Sequence, residues 1–66
     1  MKVLKVSEII KRLQDDGWQL FRHQGTSHRQ FKHKVKTGKT TVNGKLSADI
    51  TGDLLKSIEK QSGLKF

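Results

Sequence analysis

Histidine titrates near neutral pH, which suits it to proton transfer, and one histidine of this chain stands where such a transfer would have a target. His28 lies mid-chain in the run Gly25-Thr26-Ser27-His28-Arg29-Gln30-Phe31, within a stretch from Trp18 to Ala48 that contains no Asp or Glu. The same stretch holds Arg22, Arg29, Lys32, Lys34, Lys36, Lys39 and Lys45, and so carries +7 of the formal net charge of +8. The two flanks together hold seven basic and six acidic side chains and nearly cancel. An imidazole set in a field that attracts polyanions suggests chemistry on a phosphate backbone.

One reaction suits these residue types. RNA is cleaved without a metal when a base takes the proton of a 2′-hydroxyl, that oxygen attacks the adjacent phosphorus, and an acid protonates the departing 5′-oxygen. Histidine serves either transfer, which makes His28 the catalytic candidate. Arg22, Arg29, Lys32 and Lys34 are the candidates for binding RNA and for stabilising the charge that builds on the phosphorus oxygens. DNA lacks the 2′-hydroxyl and is inert to this route. Carboxylate-bound Mg²⁺ is the usual alternative, but the central segment has no carboxylate to hold it, so no metal and no cofactor is expected.

The other two histidines read differently. His23 is either a second proton-transfer group across from His28 or a solvated turn residue, and a zinc site on that pair lacks a third ligand. His33 is expected to point to the packed side near Trp18, in a structural role. The lysines have a plainer use, since edge strands carry Lys to discourage aggregation. A strand protected only for solubility would use Glu as readily, so the absence of acids favours phosphate binding. Phe21 is able to stack a base or to be covered by a protein partner.

These groups need a scaffold, and the chain is short. Its 66 residues are expected to form one domain, 1–66, of modest stability, because a domain this small buries only about 60% of its unfolded surface. There is no cysteine, hence no disulfide or thiolate metal site. No apolar run approaches the roughly 20 residues of a membrane helix, and the N-terminus lacks the apolar stretch of a secretion signal. A cytoplasmic protein is expected.

Val6, Ile9, Ile10 and Leu13 recur at helical spacing, with Ser7 as candidate N-cap and Gly17 as the stop. Asp15 and Asp16 at that end oppose the helix dipole, so helix stability does not explain them. Residues 18–23, the loop 24–27 and residues 28–35 read as a β-hairpin, and a turn at Lys36-Thr37-Gly38 leads into a third strand over 39–43. Thr51 is the expected N-cap of a second helix, with Leu54, Leu55 and Ile58 on one face and Gly63 at its end. The fold class is therefore α+β, in the order α-β-β-β-α, with a three-stranded antiparallel sheet covered by two helices on one face.

Alternation of side chains gives a register. A four-residue loop pairs His23 with His28, Leu20 with Phe31 and Trp18 with His33, and the second turn pairs Phe31 with Val42. Trp18, Leu20 and Phe31 then face the helices, while Phe21, His23, His28, Gln30 and Lys32 lie on the open face. A slip of one residue would bury His28 and expose Phe31, against the apolar pattern.

Four stretches resemble one family in this order: Asp16-Gly17-Trp18 after the first helix, Gly25-Thr26-Ser27-His28-Arg29-Gln30-Phe31-Lys32-His33 across the hairpin, Gly38 to Val42, and Leu55-Lys56-Ser57-Ile58-Glu59-Lys60-Gln61-Ser62-Gly63-Leu64. The chain looks like a HicA-type mRNA interferase toxin of a type II toxin-antitoxin system, a family similar in fold to the double-stranded RNA-binding domain. The resemblance implies that His28 is catalytic, that mRNA is cut without a cofactor, and that a HicB-type antitoxin, normally the larger partner, covers the active site. The sequence departs from the family pattern in a loop one residue longer, Gly-Thr-Ser-His, and in Lys34 and Gly52 where prolines are common. A noncatalytic RNA-binding module and a protein that binds only an acidic partner are the alternative readings.

Overall fold

The computed structural model describes residues 2–25 and 28–66. Among these, the elements in chain order are β1 (Val3–Lys5), α1 (Val6–Asp15), β2 (Gln19–Gln24), β3 (His28–Lys32), β4 (Lys39–Asn43), β5 (Asp49–Thr51) and α2 (Gly52–Ser62). The expected helix, three strands and helix are all present, and β2, β3 and β4 form an antiparallel sheet in that order. The class is α+β. The short strands β1 and β5 were not foreseen; they pair antiparallel, with Leu4 opposite Ile50 and an ion pair of 3.2 Å between Lys5 and Asp49.

Helix α1 buries Val6, Ile9 and Leu13, as their spacing requires. It starts at Val6, not after Ser7, and no side chain caps it. The connector before β5 does that work, because the Val6 and Ser7 amides donate to the Ala48 and Leu46 carbonyls at 2.9 and 3.1 Å. In α2, Leu55 and Ile58 are buried but Leu54 is 51% exposed, since neighbours in sequence do not share a helix face. Thr51 occupies the N-cap position, also without a side-chain hydrogen bond, and Gly63 ends the helix at φ 75°.

The core is one cluster of Val6, Ile9, Leu13, Trp18, Phe31, Val42, Ile50, Leu55, Ile58 and Phe66. Phe66 bridges the two helices: its amide donates to Glu59 at 2.9 Å, and its ring lies under the Arg12 guanidinium at 5.2 Å. Burying a large aromatic in so small a core is worth about 2–3 kcal/mol, so the last residue matters to the fold. Leu20 is 46% exposed, contrary to the expectation that the helices cover it, because all of β2 lies on an uncovered edge of the sheet.

The register departs from the expected one in two places. Strand β3 ends at Lys32, three residues sooner than expected, and Phe31 pairs with Thr40 while Val42 pairs with Arg29. The His33 ring is the cause: its Nδ1 accepts hydrogen bonds from the Val35 and Lys36 amides at 3.0 and 3.1 Å and turns the chain away from the sheet. A shift of two leaves the faces unchanged, so Thr40 and Val42 both stay buried. The second correction is a β-bulge between Leu20 and Arg22. Leu20 still opposes Phe31, but His23 opposes Arg29 and Gln24 opposes His28.

Candidate functional site

Strand β3 alternates strictly, exposed His28, buried Arg29, part-buried Gln30, buried Phe31 and exposed Lys32. One face of the sheet therefore meets the core, and the other presents His28, Gln30 and Lys32 to solvent. Cross-strand pairing builds the open face in three rungs: Gln24, His28 and Asn43; then Arg22, Gln30 and Thr41; then Gln19, Lys32 and Lys39, with the Phe21 ring against the two lysines. None of these side chains is acidic. Successive rungs lie about 7 Å apart along the strands, so Arg22 is the cation of this face nearest to His28. The Gln30 Oε1 atom is buried at the centre and has no partner among the described residues.

The bulge composes this face. Two residues of a bulged strand oppose one on the partner, which lets both Phe21 and Arg22 stay on the open side; in a regular strand one of them would turn toward the helices. The same bulge removes His23. It pairs with Arg29 and so shares the face opposite to His28, which corrects the expected His23/His28 pairing.

The other expected RNA-binding residues divide. Arg22 and Lys32 stand on the open face. Arg29 does not: it is buried beneath the sheet and donates from Nη1 to the Gly44 carbonyl at 2.7 Å, holding the end of β4. Lys34 is exposed in the connection 33–38, off the strands. Lys36 is engaged elsewhere, as described next. Lys39 was not singled out from the sequence, and the corrected second turn is what brings it opposite Lys32. Thr26 and Ser27, which carry the extra loop residue, lie outside the described residues.

At the far end of β3, His33 is structural, as expected. Nδ1 accepts the two turn amides, so Nε2 carries the ring hydrogen and donates to the Asp16 carbonyl at 2.7 Å. The ring meets Trp18 edge-on at 5.3 Å. The Lys36 ammonium donates to Asp16 Oδ2 at 2.6 Å and to the Ser62 carbonyl at 3.1 Å, tying the ends of both helices to the turn. That hydrogen bond holds the Asp16 carboxyl below its ordinary value of 3.8, against the upward push of partial burial. Gly17 is required here: at φ 104°, a Cβ would lie 2.8 Å from His33 Nε2. Among the described residues, no three His, Cys, Asp or Glu side chains converge as a metal site. No helix among them is long and apolar enough to cross a membrane.

Fold and site together define a small α+β protein with one acid-free, exposed sheet face. Over residues 6–64 the chain matches the family described as the HicA toxin of bacterial toxin-antitoxin systems, and it belongs to that family. Membership gives it the toxin's part and implies an antitoxin as partner. No curated protein matches the chain as a relative. Asp16, Gly17, Trp18 and His33, two of the separate stretches that carried the resemblance, meet in space around one turn.

Proposed function

We propose that this toxin is an endoribonuclease that cuts mRNA in the cytoplasm without a metal or cofactor, with His28 as its acid-base group. The observation that supports this reading is an exposed histidine on a sheet face that carries cations and no carboxylate. The imidazole takes the proton of a 2′-hydroxyl, the 2′-oxygen bonds to the adjacent phosphorus, and the bond to the 5′-oxygen breaks. The imidazolium, or water, then returns a proton to that oxygen. The products are a 2′,3′-cyclic phosphate and a free 5′-hydroxyl. Arg22 stabilises the charge on the phosphorus oxygens, and Lys32 holds the strand. The rung partners of His28, Gln24 and Asn43, are amides that neither take nor give a proton in this range, so within this rung His28 alone is able to move one.

A HicB-type antitoxin neutralises the toxin by covering the same face with an acidic surface, in competition with RNA. The test is incubation of the purified chain with RNA in excess chelator, with the all-DNA strand as control. The expected result is cut RNA with 2′,3′-cyclic phosphate ends and intact DNA. RNA that stays whole while being bound in a salt-dependent way would replace this reading with that of a noncatalytic RNA-binding module.

A further inference from the structure

The third rung has a feature that folding does not explain. Lys32 and Lys39 are direct cross-strand partners on the open face, and like charges in that position destabilise a sheet. No carboxylate among the described residues forms an ion pair with either one. Both ammoniums instead lie 5.6 Å from the centroid of the Phe21 ring, a distance at which a cation is attracted to an aromatic face. The ring is brought to them from the bulge in β2 and stays 39% exposed. Bulges of this kind gather beside functional sites, where they re-aim a side chain.

We infer that Phe21, Lys32 and Lys39 form a nucleotide-binding subsite separate from the cleavage site. The phenyl ring stacks a base, and the two ammoniums hold the adjoining phosphate. This rests on the ribonuclease reading and extends it. Lys32 is four residues from His28, about 13 Å along the strand, which is farther than neighbouring phosphates of one strand lie apart. The subsite therefore grips a nucleotide beyond the scissile bond. Aromatic stacking of this kind tolerates any base, so it adds affinity and sets the direction of the strand without dictating sequence.

The test measures binding of a single-stranded oligoribonucleotide by the His28→Ala chain, alone and combined with Phe21→Leu or Lys39→Gln, over a salt series. Cleavage by the same two variants with His28 intact is measured in parallel. Phe21→Leu keeps apolar bulk on an exposed strand, and melting curves verify that each variant folds. Phe21→Leu is expected to raise Kd roughly tenfold and KM by a similar factor, with kcat within about twofold. Lys39→Gln is expected to lower the slope of log K against log salt by about 0.7, the value for one phosphate contact on a single strand. If the wild type cuts RNA but neither variant changes Kd or the salt slope, the subsite is wrong and the ribonuclease reading stands. If the wild type neither binds nor cuts RNA, that reading falls and takes the subsite with it. Weakened antitoxin binding with unchanged RNA binding would assign the three residues to the protein partner and overturn the inference.

Discussion

Two histidines sit at the two ends of one strand, and their surroundings differ in every respect. His33, just past the end of β3, has both ring nitrogens hydrogen-bonded and its edge against Trp18. His28, at the start, faces solvent between two amide side chains on a sheet with no carboxylate. So small a protein divides its polar residues between the two ends of one strand. One end of the sheet joins both helices to the central turn through Asp16, His33, Lys36 and Ser62. At the other end His28 is exposed, and it is the imidazole proposed to meet RNA.

The largest effect on stability should come from the His33 end. Replacing His33 by Ala removes the acceptor of two turn amides and the donor to Asp16, and is expected to cost about 2–3 kcal/mol. Gly17→Ala should cost at least as much, because a left-handed conformation is strained by about 1–2 kcal/mol for other residues and the new methyl would press on His33 Nε2. Chemical denaturation checks both. A midpoint unchanged in either variant would mean that this turn is not what joins the layers.

A smaller contrast lies between two arginines. Arg29→Leu leaves the Gly44 carbonyl without its buried donor and is expected to cost about 1–3 kcal/mol. Arg22→Gln, on the exposed edge strand, should stay within about 0.5 kcal/mol of wild type yet weaken RNA cleavage. The reverse outcome, with Arg22 setting stability and Arg29 only activity, would invert the assignment of faces.

The smallest effect is one of pH. A carboxyl whose folded value is depressed adds stability above its ordinary value, and that stability is lost as pH falls through the folded one. For Asp16 the contribution is whole above 3.8 and disappears below it. Lys36→Met removes the main cause of the depression, so the acid limb of unfolding should move to higher pH. Identical acid limbs in the two proteins would show that the Lys36–Asp16 contact is not maintained in solution.

Much of this division was legible in the sequence. Alternation along β3 placed His28, Gln30 and Lys32 outside and Phe31 inside, and helical spacing identified both helices. Asp16 looked out of place at a helix end because its partner, Lys36, lies twenty residues ahead. What stayed hidden arises only in part from contacts between distant segments. The bulge at Phe21 has no glycine to announce it, and it moved His23 off the face of His28. Arg29 counted as one more cation of the central stretch, but strand alternation turns it under the sheet. The shortened β3 depends on a side chain accepting backbone amides, and β1 and β5 are only three residues each, too short for a periodic signal.

In the reading proposed above, the exposed His28 does chemistry while the part-buried His33 supports the fold. The most direct measurement is the single-turnover RNA cleavage rate of His28→Ala in excess chelator, taken with its melting curve. The rate is predicted to fall by about 10²–10⁴-fold, the usual contribution of a proton-transfer group, with melting unchanged. A His28→Ala protein that is fully folded and cuts RNA as fast as wild type would contradict the account.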